Sequence, residues 1–550
     1  MFTSAAPENG YHDYKQRLLE VVVGSMAWAF LIGFAVISYF SVVWAAYILI
    51  AYILLWLFKI IGYSERLTRG FRYVRRSARI DWQHRLNDLY EPARALRDLD
   101  AGIATATGKD RTALKFYRRR LRYAATNPGI LDPNRVYHAI IVAWYNEDPA
   151  IVESTLQSIV ASQYDKGKLV LVIAYEERGG EEVATAAQRL IEQYQDQFVL
   201  ARAIEHPSDI PGEVKGKAGN ITYAGRWVSQ HLQDEWNLDP EEVLVTTLDA
   251  DNRPSRNYFA ELTYLYCSTP QRVQRSYQPI PMFFNNIWDV PALMRVIAAS
   301  NSFWVLMECL RPHRLRNFSA HGQSLQTLLD TDFWNVKSIV EDGHQYWRTY
   351  FTYQGDHKVL PVFSPIYQDA VLVEGYWRTF KAQFYQLRRW AWGVVDTPYL
   401  IRRSFHEPGI PWPNKIIHIG RQLEGYFSWA VAPIMLAMGG WLPLLLHAEA
   451  DQSVLAIQLP TIASWIQTGA LLGLLAPIIS TMLSLPPRPR RYSIRRSVGM
   501  VLQWALVPIA LIGFGSHAAL NAQTRLLLGK YLGSFNVTEK KRVERPDALA

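Results

Sequence analysis

From Val21 to Phe58 the chain carries no Asp, Glu, Lys, Arg or His. A helix needs about 20 apolar residues to cross a bilayer core of about 30 Å, so this run is long enough for two spans joined by a tight turn around Ser41. It is too long for the apolar core of a secretory signal, and no polar mature chain follows it directly. Three further charge-poor stretches come late, at about Gly425 to Leu446, Pro460 to Leu483 and Val498 to Leu520. Whatever the middle does, it does it beside a lipid bilayer.

Lys and Arg in short flanking loops stay on the cytoplasmic side of a membrane. Lys59, Arg66, Arg69, Arg72, Arg75, Arg76 and Arg79 follow the first pair of spans, and Arg488, Arg490, Arg491, Arg495 and Arg496 lie between the last two stretches. The loop around His447–Asp451 has Glu449 and Asp451 and no Lys or Arg. The polar middle, about 80–415, is therefore expected inside, with both termini. Three C-terminal spans would put the tail outside, yet it carries Lys540, Lys541, Arg542 and Arg545. A re-entrant hairpin turning near Gly513–Ser516 would reconcile the two. The net charge of +9 thus has a membrane explanation. Two cysteines, Cys267 and Cys309, are too few for a disulfide framework or a cysteine-ligated zinc site.

The organisation expected is a membrane hairpin over 1–62, a basic juxtamembrane helical lead-in over 63–135, a cytoplasmic domain over 136–415, further membrane helices over 416–530 and a tail over 531–550. From Tyr137 the pattern changes to short apolar runs alternating with amphipathic helices. His138–Ala143, Lys168–Ala174, Phe198–Ala203 and Val243–Leu248 read as strands buried on both faces, with helices over Pro149–Gln163 and Glu181–Gln195. Such alternation implies a parallel α/β sheet, in which ligands bind beyond the carboxyl ends of the strands.

The chemically interesting residues fall at those ends. Trp144-Tyr145-Asn146-Glu147-Asp148 follows the first strand and Tyr175-Glu176-Glu177-Arg178-Gly179-Gly180 the second. Lys215-Gly216-Lys217-Ala218-Gly219-Asn220 precedes a helix, where ammonium groups and backbone amides can cradle phosphate. Asp249-Ala250-Asp251 follows the fourth strand. Two carboxylates at that spacing suit a hard divalent cation bridging diphosphate oxygens, although Asp-x-Asp alone is as readily a solvated loop. Glu341-Asp342 alone would more often start a helix, where acids favour the first turn.

Taken together, Tyr145-Asn-Glu147, Lys217-Ala-Gly-Asn220, Asp249-Ala-Asp251, Glu341-Asp342 and Gln386-Leu-Arg-Arg389-Trp390 resemble glycosyltransferase family 2. The likeness is narrower to its membrane-embedded processive branch, with cellulose, hyaluronan and chitin synthases. It covers residues 137–395 in order and approximate spacing. Phe535-Asn-Val537-Thr538-Glu-Lys540 resembles the Phe-x-Val-Thr-x-Lys gating loop of bacterial cellulose synthases.

The resemblance implies an α/β, GT-A-type Rossmann-like nucleotide-sugar domain inserted between transmembrane helices, in a multi-pass protein of a bacterial plasma (inner) membrane. It implies an inverting transfer from a nucleotide-sugar, UDP-linked in that branch, to a growing β-linked polysaccharide. Tyr145, Glu147 and Glu176 would hold the nucleotide, with Glu177 an alternative to Glu176. Lys217 and Arg389 would meet the nucleotide and its diphosphate, and Phe535, Thr538 and Lys540 would close over the donor. Asp249 would touch the diphosphate and, with Asp251, Mg²⁺ or Mn²⁺. Asp342 would be the general base, its pKa raised in part by Glu341. Gln386 and Trp390 would line the acceptor pocket, and His321-Gly322 would form an acceptor-side turn. Accessory subunits are compatible with that branch.

Two departures qualify the likeness. The second strand ends in Glu176-Glu177 where the family usually has Asp, and Val340 stands where cellulose synthases have Thr, which places cellulose itself in doubt. The same-class rival is a single transfer to a lipid such as ceramide or a polyprenyl phosphate. The intact carboxylates argue against an inactive scaffold, and nucleic-acid binding would explain the charge but not the carboxylate motifs.

Overall fold

The computed structural model describes residues 14–105, 107–127, 129–448 and 453–533. Two long helices open it, α1 (Tyr14–Phe40) and α2 (Val42–Ser77), joined at Ser41, whose hydroxyl accepts from the Trp44 N–H. Three helices, α3 (Trp82–Asn87), α4 (Pro92–Thr105) and α5 (Gly108–Thr126), lead to the sheet. Then come β1 (Tyr137–Trp144), α6 (Pro149–Val160), β2 (Leu169–Glu176), α7 (Glu181–Tyr194), β3 (Leu200–His206), α8 (Lys217–Asp234) and β4 (Val243–Asp249). The second half holds β5 (Arg253–Pro254), α9 (Tyr258–Cys267), β6 (Arg275–Met282), α10 (Ala292–Cys309), β7 (Gly322–Ser324) and α11 (Leu325–Asp330). It closes with α12 (Glu341–Thr352), β8 (Lys358–Tyr367), α13 (Tyr376–Ala391) and α14 (Asp396–Phe405). The C-terminal helices are α15 (Trp412–Met438), α16 (Leu442–Leu446), α17 (Val454–Leu471), α18 (Leu475–Ser484) and α19 (Ile494–Leu527).

The sheet order is β3-β2-β1-β4-β7-β6-β8-β5. The first four strands are parallel, as the apolar runs predict, while β7 pairs antiparallel to both β4 and β6. Alternate residues of β1 and β2 feed two cores. Ile140, Val142, Leu171 and Ile173 pack with α6, α7 and α9, and Ala139, Ile141, Val170 and Val172 with α8 and α11. A strand buried on both faces has no polar positions to spare. The chain reverses direction across the sheet between β1 and β4, so the crevice beyond Trp144 and Asp249 is the place for a ligand.

Three helices are long and apolar enough to cross a membrane by length and composition among the described residues: α1, α2 and α19. Val23, Ala27, Leu49, Ala430, Met435 and Ala522 form a core between α1, α2, α15 and α19. Ile339 and Val340 before α12, and Trp392 after α13, pack into that same core. The apolar helices and the α/β domain therefore share the segments that carry Glu341, Asp342 and Arg389.

The turn expected near Gly513–Ser516 is not there. Residues Ala510–Ser516 form a wide π-helical stretch within α19, and the helix continues. It ends beside the start of α1, where the Arg17 guanidinium donates to the carbonyls of Leu526 and Leu527 and the Tyr531 hydroxyl to Glu20. One glycine matters here: a Cβ on Gly24 would lie 2.6 Å from the Leu527 nitrogen. Residues Leu526, Leu527 and Tyr531 reach the side of α1's first turn at the end of one long helix, with no hairpin.

Candidate active site

Asp249 is the last residue of β4, opposite Ala143 of β1. Its carboxylate pairs with the Lys217 ammonium at 2.6 Å and accepts from the Ser319 hydroxyl. Lys217 opens α8, is buried, and also donates to the Ser319 hydroxyl and carbonyl, at 2.8 and 3.1 Å. The ammonium stands 4.0 Å from the Glu341 carboxylate. Burial pulls its pKa down, but Asp249 and Glu341 outweigh burial and hold it above the ordinary lysine value. Asn220, one turn on, donates to the Ala174 carbonyl at 2.7 Å and so ties α8 to β2.

Glu341 and Asp342 are the first two residues of α12, so the helix-start reading of this pair is structurally correct. Positions there favour ionised acids, yet burial dominates. The Glu341 carboxyl is pushed up to about 7, first by burial and then by the Asp342 charge. Burial also raises Asp342, although the Gly343 N–H at 2.7 Å, Lys217 and Arg389 oppose it. Arg389, near the end of α13, interacts with Glu341, Asp249 and Asp342, which partly offset the lowering of its pKa by burial. Its neighbour Arg388 lies over the Tyr385 ring, 4.7 Å from the centroid. Two cations and three carboxylates from β4, α8, α12 and α13 therefore meet at one sheet end.

Asp251 is buried, with its carboxylate accepting from the Asp369 N–H at 2.8 Å and its carbonyl from the Asn285 amide at 3.2 Å. Among the described residues no three His, Cys, Asp or Glu side chains are grouped as a metal cage. A cation here would take Asp249 and Asp251 and complete its shell with phosphate oxygens and water. That is the habit of Mg²⁺ and Mn²⁺, so the donor set fits the expected ion.

The first two strand ends form one wall. The Glu147 carboxylate accepts from the N–H groups of Tyr145 and Asn146 at 3.1 and 3.2 Å, which folds the β1–α6 turn. Asp148 then caps α6 through the Ala150 N–H at 2.8 Å. Glu176 ends β2 and pairs with Arg178, whose guanidinium lies 4.3 Å from the Tyr145 ring centroid. Glu177 is exposed and accepts from the Ser208 N–H at 2.8 Å. A Cβ on Gly179 would come within 2.3 Å of the Tyr145 carbonyl, so glycine there lets the two turns touch.

Gln386 accepts from the Gln383 amide at 3.0 Å, and Trp390 is half-buried with its ring 6.0 Å from that of Phe283. Trp392 is buried against Tyr531. His321 precedes β7, is buried, donates its Nδ1–H to the Phe318 carbonyl at 2.9 Å, accepts at Nε2 from the Trp334 indole N–H at 3.3 Å, and is pushed down to about 4 by burial. Phe535, Thr538 and Lys540 lie outside the described residues. Ser319 and Asp369 were missed by sequence reasoning: a lone Ser in Asn-Phe-Ser-Ala and an Asp known by its backbone N–H give no signal in one sequence.

No family model matches the chain, and no curated protein does. Among solved structures, the mannosyltransferase of Pyrobaculum calidifontis, in complex with GDP-Man and Mn²⁺, aligns over 80% of this chain and 100% of its own, with 15% identity and a TM-score of 0.39. S. aureus TarS 1-349 in complex with UDP-GlcNAc aligns over 65% of this chain and 94% of its own, with 10% identity and a TM-score of 0.30. The same fragment in complex with UDP gives 72% and 93%, 9% identity and 0.32.

Proposed function

We propose that the chain is a membrane-bound glycosyltransferase that uses a nucleotide-sugar donor and inverts the anomeric centre. The observation that carries this reading is the meeting of Lys217, Asp249, Glu341, Asp342 and Arg389 beyond β4. Lys217 and Arg389 offer a point charge and a planar fork to a diphosphate. A divalent ion held by Asp249 and Asp251 would supply charge neutralisation on the departing nucleotide. Asp342 is the base: the acceptor oxygen forms a bond to the anomeric carbon, its proton passes to the Asp342 carboxylate, and the carbon–oxygen bond to the diphosphate breaks. The nucleoside diphosphate leaves with the electron pair. Direct displacement needs no enzyme nucleophile, and a base of this kind contributes about 10²–10⁴-fold.

Two acceptors are considered. A processive polysaccharide synthase follows from the Gln386–Trp390 resemblance and the tail motif. A single transfer to a lipid acceptor is the second, since the same base and donor site would serve it.

The test is donor turnover by the purified protein in nanodiscs, offered UDP-glucose, UDP-N-acetylglucosamine, UDP-galactose or GDP-mannose with Mg²⁺ or Mn²⁺. Release of nucleoside diphosphate that falls about 10²–10⁴-fold in Asp342→Asn supports the reading. Product size separates a polymer from a glycolipid. Release from every donor unchanged in Asp342→Asn would sink the role given to that carboxylate.

A further inference from the structure

The loop between α18 and α19 together with the first turn of α19 contains five arginines and no acid, and it clasps the domain loop before α10. It meets the Asp289 carboxylate there, and that group already takes Arg491 and the Tyr492 hydroxyl at 2.7 Å. Arg496 donates to the carbonyls of Trp288 and Val290 at 2.7 and 3.1 Å. Arg295, 3% exposed in the first turn of α10, donates to the same Val290 carbonyl at 2.8 Å and to the Gln503 side-chain oxygen. Two guanidinium groups thus converge on one neutral oxygen, and neither has a carboxylate partner among the described residues.

Three more donors in this cluster have none either: Arg496 Nε, Gln503 Nε2 and Trp504 Nε1. Gln503 and Trp504 are each only 4% exposed. A buried donor without an acceptor costs about 1–3 kcal/mol, and a buried charge without a counter-charge costs more. Arg495 and Arg496 also sit in the first turn of α19, where the helix dipole disfavours cations. Every one of these costs is relieved by the same thing, an anion with several acceptor oxygens. Outside the cluster, the exposed Arg488, Arg490 and Arg495 make no ion pair among the described residues.

We propose that Arg295, Arg496, Gln503 and Trp504 form a phosphate-binding site, and that the phosphate is the headgroup of an anionic membrane lipid. The site stands where the apolar helices α18 and α19 meet the α/β domain. Basic pockets between helices take such lipids. The exposed arginines draw the lipid in, and buried Arg295 and half-buried Arg496 with the two neutral donors hold its phosphate. This inference is independent of the sugar-transfer reading.

The test is the thermal unfolding of the full-length protein in neutral detergent, with added dioleoyl-phosphatidylglycerol, dioleoyl-phosphatidylcholine or inorganic phosphate at matched ionic strength. Phosphatidylglycerol is expected to raise the midpoint saturably, with phosphatidylcholine and inorganic phosphate well below it. The rise should be lost in Arg496→Gln and kept in Arg119→Gln, which removes the same charge from an exposed face of α5. Native mass spectrometry of the wild type, which needs no variant to fold, should retain phosphatidylglycerol in preference to phosphatidylcholine. Arg488→Gln with Arg490→Gln, both exposed, should weaken that retention. Equal shifts in Arg496→Gln and Arg119→Gln, or equal effects of the two lipids, would overturn the site. A full shift from inorganic phosphate alone would overturn its assignment to a lipid.

Discussion

Glu341 is the residue in which the tension of the site is concentrated. It is buried, its nearest like charge is the next residue, and Lys217 and Arg389 only partly compensate. An acid whose folded pKa is raised contributes stability that is fully present below its unfolded value and is lost as pH rises through the folded one. For Glu341 that window runs from an ordinary 4.5 to about 7. Glu341→Gln cannot ionise, so the variant should gain on the wild type across the window, by a difference on the order of 3 kcal/mol at its upper end. Thermal or urea unfolding at pH 5 and pH 8 measures it. A constant difference between the two proteins would mean that Glu341 stays ionised throughout. Asp342, raised in the same direction, should place the acid limb of turnover above the usual carboxylate range, because the base must be deprotonated to accept the acceptor proton.

At the level of elements, the close approach of α1 and α19 rests on a residue with no side chain. With the Leu527 backbone where a Cβ on Gly24 would stand, Gly24→Val must push the helices apart and loosen the neighbouring Trp28–Thr524 hydrogen bond of 2.8 Å. A loss of about 1–3 kcal/mol is expected for such overpacking, read as a lower melting temperature. Gly33, with nothing within 4 Å of its Cβ, is the control, and Gly33→Ala should leave the melting temperature in place. The sequence was a good guide to β1, β2 and β4 because both their faces are apolar, which leaves a continuous signal, and less so to β3, an edge strand with Arg202 and Glu205 exposed. It was a poor guide to β6 and β8: Gln278, Pro279 and Pro281 in one and Pro361 and Pro365 in the other break that signal, and their pairing is set by distant partners. The carboxylates and cations of the site were legible because chemistry fixes their types. Ser319 and Asp369, which hold Asp249 and Asp251 in place, were not, since a hydroxyl or a backbone N–H from a loop can be supplied by almost any residue.

At the level of the whole molecule, the apolar helices have two distinguishable ends. At one, the Ser41 turn between α1 and α2 lies beside the loop after α16, with the His447 ring 2.9 Å from the Tyr39 carbonyl. At the other, the basic loop before α19 grips the α/β domain through Asp289 and Val290, and the last turn of α19 is held by Arg17 at the start of α1. Lys and Arg crowd the second end and are missing from the first, and the positive-inside rule supports the proposal that the domain and the basic loop face the cytoplasm. Both native cysteines are buried, which makes single introduced thiols readable. Ala448→Cys and Arg490→Cys both replace exposed residues, one at each end. In intact cells a membrane-impermeant maleimide should label Ala448→Cys and leave Arg490→Cys unmodified until the cells are opened. The reverse pattern would turn the whole molecule over and place the site where no nucleotide-sugar pool exists to feed it. Labelling of both in intact cells would mean that α17 and α18 do not separate the two loops, and that the long helices lie along the membrane surface.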